Sequence, residues 1–266
     1  RIKKLLQNKT YGKVIYSISA SDKRNEELDY YLKNMRGNPD VIPVITISNK
    51  NGTNINNLHK LFYNIPSRKK WNSIDMTKTV IYIDSKYNVP GIGLVISGTV
   101  KGKSVKVKDK MYIGPENGKF KEVFIRSIHN SVREDVKEIK SGNQGCFALK
   151  FTNPKEAIPR KQIRKGFVMI DSIKKWEKNI SKSFLGKITI LHHSTTIKSG
   201  YSPTIHCYQI RQTAKLTLDK DEVLRSGSSC LAKFEFENNH EFLEPNRVFF
   251  SRDGNMKAIG TIVSII

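Results

Sequence analysis

Seven consecutive residues, Gly98-Thr-Val-Lys-Gly102-Lys103-Ser104, have the residue types of a loop that cradles phosphate. Such a loop needs four residues between its glycines, and it must open a helix so that backbone N–H groups converge on the anion. Here three residues separate the glycines, and strand-forming residues flank the segment on both sides. It therefore reads as a basic hairpin. His192, His193, His206 and Cys207 are of metal-ligating type. They fall on expected strands, where neighbours point to opposite faces, so adjacent pairs do not easily share one ion. No metal site is expected. His129 and Asp135 are too isolated to make a nucleophilic triad. No catalytic residue is expected in this chain.

Lysine is the more informative residue. Lys101, Lys103, Lys106, Lys108 and Lys110 recur at every second position or nearly so. On a strand pair several would project to one side as a basic comb, the arrangement that tracks a phosphate backbone. Lys119, Lys121, Arg160, Lys161, Arg164 and Lys165 add charge to the same stretch. The chain has 47 Lys and Arg against 24 Asp and Glu, a net charge of +23. That excess favours a polyanionic partner, nucleic acid first and an anionic membrane second. A solubilising, hydrated surface is the alternative reading of the same charge. No run approaches the roughly 18 apolar residues of a spanning helix, so no membrane partner is expected. Cys146, Cys207 and Cys230 are few, odd in number and far apart. This argues against a disulfide framework and suits a reducing compartment, the cytoplasm.

The elements that must position these residues change type along the chain. Residues 1–66 alternate strands and helices. A strand is expected over Lys13–Ser19, and a helix capped by Ser21 or Asp22 with Leu28, Tyr31, Leu32 and Met35 on one face. A short apolar strand, Pro43–Ile47, follows. Thr53 or Asn54 then caps a helix with Ile55, Leu58, Leu61 and Phe62 on one face. This is part of an α/β domain, and Ser48, Asn49 and Lys50 sit at the carboxyl end of its strand, where ligands of such sheets bind. Pro66 and Arg68-Lys69-Lys70 read as a linker. Residues 77–171 carry many short strands: Thr79–Asp84, Gly93–Val100, Val105–Val107, Lys110–Ile113, Phe120–His129 and Cys146–Phe151. Pro90, Gly91 and Gly93 give a tight start to the second of these, Ser97-Gly98 suggests a bulge or a close backbone approach, and Glu138–Gln144 reads as a turn. Such density indicates a barrel or a sandwich. Asp171–Ser183 reads as a charged linker with Trp176 as its one large apolar residue. Residues 184–266 are again strands. Ala232, Phe234 and Phe236 alternate with charged neighbours, Arg252-Asp-Gly-Asn255 reads as a hairpin turn centred on Asp-Gly, and Ala258–Ile266 closes the sheet.

The stretch Val89-Pro-Gly-Ile-Gly-Leu-Val-Ile-Ser-Gly-Thr-Val100 resembles the opening of the second domain of the elongation factor Tu class of translational GTPases. Lys110–Pro115, Ser127-Ile-His129, Gly142–Leu149 and Ile163–Gly166 follow in the order of that domain. Ile190–His193, Gly200-Tyr-Ser-Pro203, His206-Cys207 and Arg211-Gln-Thr213 resemble the third domain. Within the class the chain is similar to the subgroup of GTP-binding proteins 1 and 2. The resemblance implies a mainly β chain: the C-terminal remnant of a GTP-binding α/β domain (1–66) followed by two antiparallel β-barrels (77–171 and 184–266). It implies GTP as cofactor, with Mg²⁺ and the phosphates held by residues upstream of Arg1. No complete phosphate loop and no Asn-Lys-x-Asp motif lies in this sequence, so this fragment is expected not to hydrolyse GTP.

The resemblance also implies site residues. Ser48-Asn49-Lys50 takes the place of the last guanine-recognition motif, with Asn49 where Ala is commoner. His129 takes the place of a Glu that helps hold the terminal adenosine of aminoacyl-tRNA, and an imidazole can stack on a base or bond to ribose. Arg252, Gly254, Asn255 and Lys257 fall where the class contacts the T-arm of tRNA. Lys101 and Lys103 join them as RNA-binding residues. The function implied is a monomeric, cytoplasmic translation factor that binds tRNA or another structured RNA and acts at the ribosome in a GTP-dependent way. Rescue of stalled ribosomes and mRNA surveillance are further settings. The competing reading is a non-catalytic RNA-binding or scaffold protein with a degenerate GTPase domain.

Overall fold

The structure, a computed structural model, describes residues 14–18, 25–35, 40–65, 75–219, 222–254 and 256–266. The chain divides into two compact units, residues 1–70 and 71–266. The expected caps Ser21 and Asp22 and the linker residues Pro66 and Arg68–Lys70 lie outside the described residues.

In the first unit β1 (Val14–Ile18) pairs with β2 (Val41–Ile45) in parallel, Val14 opposite Val41. Parallel strands need a crossover, and α1 (Asn25–Met35) supplies it. Leu28, Leu32, Val41 and Leu61 form the core, with Ile45 packed against it. The second strand starts at Val41 rather than Pro43. Proline has no N–H to give, but in a two-stranded sheet one edge of each strand needs none. On α2 (Ile55–Asn64) Leu61 is buried, but Phe62, expected on the same face, is 63% exposed.

The second unit holds the two barrels. The first is built from β3 (Thr79–Val89), β4 (Gly93–Gly102), β6 (Lys110–Glu116), β7 (Lys119–Asn130), β10 (Gln144–Phe151) and β11 (Val168–Ile170). Their order is β10-β4-β3-β11-β6-β7, closed by β10 on β7, and every pair is antiparallel. Ile81, Ile96, Ile113, Ile128 and Phe147 fill the interior. Four details differ from expectation. The short β5 (Val105–Lys106) pairs with β9 (Glu138–Ile139), not with β4, so Lys101–Lys110 is not one hairpin. The segment expected as a turn thus begins with a strand. β11, three buried residues, is needed to close the ring between β3 and β6. The register shift lies on β3, between Ile83 and Ser85, while β4 runs unbroken past Gly98. A Cβ on Gly98 would lie 2.4 Å from the Tyr82 carbonyl oxygen, so the close approach explains that glycine. The short β8 (Asp135–Val136) adds to β7.

The second barrel contains β13 (Ser183–His192), β14 (Thr204–Cys207), β15 (Ile210–Thr217), β16 (Ser229–Phe236), β18 (Val248–Asp253) and β19 (Met256–Ile265). It closes in the order β13-β16-β15-β14-β18-β19. Phe184, Phe234, Phe236 and Phe249 interlock in its core. A mainly β chain with two closed antiparallel barrels is the class that the sequence leads one to expect.

The segment read as a charged linker is packed structure. It forms a short helix, α3 (Ile173–Trp176), and β12 (Ile180–Ser181), which pairs with β17 (Glu241–Phe242). Trp176 is buried against Phe242 at 5.2 Å between ring centres, and its Nε1 donates to Asp171 Oδ1 at 3.0 Å. Val80, Val168 and Ile170 of the first barrel complete this small core. One tryptophan therefore ties the two barrels together.

Candidate nucleic-acid interface

Strand alternation decides which side chains of the second barrel face out. On β18, Phe249 and Ser251 are buried while Val248, Phe250 and Arg252 are exposed. Antiparallel pairing then sets two rows across the outer face. Arg252 stands directly between Thr204 on β14 and Lys257 on β19, and Lys257 in turn stands beside His192 on β13. In the next row Phe250 stands between His206 and Ile259, and His206 beside Arg211. Directly opposite like charges on a sheet are destabilising. Among the described residues none of Arg211, Arg252 and Lys257 has a carboxylate partner. Asp253, the nearest acid in sequence, accepts from Tyr201 Oη at 2.9 Å. Burial, then the cations Arg211 and Arg252, hold the His206 imidazole below its ordinary range. Gly254 is exposed at the turn, and Asn255 lies outside the described residues. Asp253 pairs with Met256, so the turn is centred one residue later than Asp-Gly. Cys207 points into the core while His206 points out, as alternation requires.

His129 is on the other barrel. It is exposed on β7, with Cys146 of β10 on one side and Asp135 of β8 on the other. Its Nε2 lies 4.0 Å from Asp135 Oδ1. The two residues that look isolated in sequence are thus cross-strand neighbours. The lysine comb is largely committed elsewhere. Lys101 Nζ is bonded to Glu244 of the second barrel. Lys106 faces Glu138 at 3.8 Å, and Lys110 faces Glu122 at 2.6 Å, a contact that raises the lysine pKa. Lys103 is exposed, and its backbone N–H donates to the Lys78 carbonyl at 3.1 Å.

In the first unit, Ser48, Asn49 and Lys50 follow β2. Ser48 N–H donates to the Thr53 carbonyl at 3.1 Å, closing the loop. Asn54 occupies the helix N-cap position, but with φ 63° and no side-chain cap bond. Its amide instead donates to the Thr46 carbonyl at 2.9 Å and so holds the loop to the strand end. Neither the Asn49 nor the Lys50 N–H finds an acceptor among the described residues. Such free donors at a strand's carboxyl end suit a base oxygen.

Over 225 residues the chain is 36% identical to GTP-binding protein 1 of Xenopus laevis, which covers 84% of this chain and 33% of that protein. It is 28% identical over 233 residues to GTP-binding protein 2 of Mus musculus, covering 85% of this chain and 37% of that protein. It is 23% identical over 205 residues to elongation factor 1-alpha of Thermofilum pendens, covering 70% of this chain and 45% of that protein. These matches make the chain a homologue of GTP-binding proteins 1 and 2 and of elongation factor 1-alpha, consistent with the elongation factor Tu class of translational GTPases. It spans about a third of the length of the GTP-binding proteins it matches. No family model matches the chain.

What sequence reasoning misses in this chain is the seam between its barrels. Glu244 collects Lys101, the Tyr82 hydroxyl and, at 2.7 Å, Arg247 Nη2. Burial first, then Glu244, pushes the Tyr82 phenol far above its usual range. Gln209 Nε2 donates to Asp84 Oδ1 at 2.7 Å. Arg164 donates to Glu241 Oε1 at 2.6 Å and to the His240 carbonyl at 2.7 Å. Glu241 is 1% exposed, also accepts from Gln212 at 2.7 Å, and leaves Oε2 without a partner among the described residues. Burial pushes its carboxyl up to about 7 against the pull of Arg164. Some of these partners lie more than 120 residues apart, so no local pattern announces them.

Among the described residues no helix is long and apolar enough to cross a membrane.

Proposed function

We propose that this chain is the RNA-holding part of a GTP-dependent translation factor that carries tRNA, or another structured RNA, to the ribosome. The observation that carries the reading is the cross-strand pair Arg252 and Lys257, two exposed cations held side by side with no carboxylate between them. A sheet keeps such a pair at a cost in stability, and an RNA phosphate offsets it. Lys103 and His129 extend the contact on the first barrel. Lys101 serves as a structural residue of the seam. The Ser48-Asn49-Lys50 loop fits a guanine base through its free N–H groups. This sequence offers no loop for the phosphates, so GTP and Mg²⁺ would be held largely by other parts of the protein.

The test compares tRNA with a duplex DNA of equal length. With roughly six to ten phosphates engaged, affinity for tRNA should fall about 10³- to 10⁵-fold between 50 and 200 mM salt. Joint substitution Arg252→Ala and Lys257→Ala should flatten that slope. Equal binding of tRNA and DNA, with an unaltered slope in the double variant, would leave only a solvated surface. The second reading, a non-catalytic RNA adaptor, is favoured by Asn49 in the guanine loop. Asn49→Ala restores the commoner residue. A gain in guanine-nucleotide affinity would show that Asn49 weakens the site and support the adaptor, and no gain would leave the carrier reading standing.

A further inference from the structure

The outer face of the second barrel holds a residue that phosphate binding alone does not explain. Phe250 is 55% exposed at the centre of a four-strand face. Its strand neighbours alternate correctly, so its exposure is not a register error: Phe249 and Ser251 are the buried residues here. A single exposed apolar residue is ordinary by itself, and what stands around this one decides its meaning. Its surroundings are specific. His206 and Ile259 stand directly beside it in the same row, at the close spacing of cross-strand pairs. Arg252 and Lys257 make up the next row, about 7 Å along the strands. Arg211 ends Phe250's own row beyond His206. An aromatic ring is thus framed by cations on two sides.

That combination identifies an occupant. A purely apolar partner would leave three cations desolvated without counter-charge. A duplex presents phosphates but keeps its bases stacked on one another, out of reach of a side chain on the outside of a barrel. A single-stranded segment offers both a free base face and flanking phosphates. We infer that Phe250 is a stacking platform for one unpaired RNA base, whose neighbouring phosphates are taken by Arg252 and Lys257 on one side and Arg211 on the other. The inference rests on the RNA-binding reading above, and names the kind of RNA segment that this face takes.

The experiment uses the whole 266-residue chain. An unstructured oligouridylate of about ten nucleotides and a duplex RNA of the same length are the probes, at one fixed salt concentration. Phe250→Ala should weaken oligouridylate binding about 5- to 150-fold, the effect of one lost base–aromatic stack. It should leave duplex affinity and the salt slope unchanged. Phe250→Trp should restore single-strand binding. An unaltered melting temperature in both variants shows that an exposed side chain was changed without harm to the barrel. If the wild-type chain binds tRNA but Phe250→Ala binds oligouridylate as well as wild type does, the platform is overturned and the carrier reading stands. Equal weakening toward both probes also overturns it. If the wild-type chain self-associates and Phe250→Ala abolishes only that, the face is a protein contact and the inference fails. If the wild-type chain binds none of the RNAs, both readings fall.

Discussion

Tyr208 of the second barrel lies nearly flat on Tyr82 of the first, with ring centres 4.8 Å apart and planes 13° from parallel. The contact is set up by backbone: Tyr208 holds φ 51°, a left-handed conformation that side chains adopt at a cost of about 1 kcal/mol or more. The Arg247 guanidinium also lies over the Tyr208 ring, 4.5 Å from its centre.

This arrangement separates two terms. Tyr208→Ala should lose the stack and the cation contact, about 1–2 kcal/mol, while keeping the strained backbone. Tyr208→Gly should lose the same contacts and relieve the strain. The glycine variant should therefore be the more stable of the two by about 1 kcal/mol in urea denaturation. Equal midpoints would show that the left-handed turn is not costly here.

Glu241 predicts a pH dependence with a definite sign. Its carboxyl is raised from 4.5 to about 7 in the folded chain, chiefly by burial. The folded state therefore binds the extra proton, and stability from this group is full below pH 4.5 and is lost as pH rises through about 7. Arg164 and Gln212 face its Oε1, and neither reaches Oε2. Glu241→Gln should remove this part of the dependence, at most about 3 kcal/mol across the window. His206, held low, acts in the opposite sense and stays in both proteins. Parallel melting curves against pH for the two proteins would contradict the assignment.

Gly102 should tolerate no side chain. Its φ is +100°, and a Cβ there would lie 1.8 Å from the Lys78 carbonyl oxygen, the acceptor of Lys103 N–H. Gly102→Ala must displace backbone at the seam of β3 and β4, so a loss of about 3 kcal/mol or more is expected in chemical denaturation. A variant within about 0.5 kcal/mol of the parent would mean that this loop gives way freely.

The sequence speaks clearly where one face of a strand is dry and the other wet. Ala232, Phe234 and Phe236 announce their strand and their direction because Lys233 and Glu235 alternate with them, and the core contains all three. Residues 168–170 do not announce theirs: all three are buried, so no alternation exists, and the run is too short to stand out. Trp176 is hidden by its charged neighbours Lys174, Lys175 and Glu177, whose solvation dominates the local pattern. The candidate site divides the same way. The turn residue Gly254 is legible from the hairpin signal, while Arg252 lies on the strand before it. The opposition of Arg252 to Lys257, and the loss of Lys101 to Glu244, depend on register and on a partner 143 residues away.

That opposition gives a prediction in which stability and binding move in contrary directions. Arg252 and Lys257 face each other directly across β18 and β19, and both are exposed. Replacing Lys257 by Glu turns a repulsive cross-strand pair into an attractive one. Pairs of this kind contribute about 0.2–1 kcal/mol, so Lys257→Glu should raise the unfolding midpoint slightly. The same change places a negative charge where the RNA phosphate is proposed to sit, and removes one counterion-releasing contact. Affinity for tRNA should fall at every salt concentration, and the slope of log affinity against log salt should shrink by about 1. A purely structural role for Lys257 would move stability alone. A hydrated-surface role would move neither beyond about 0.5 kcal/mol. Should Lys257→Glu gain stability and still bind tRNA as the parent does, the proposed phosphate contact at this pair is wrong.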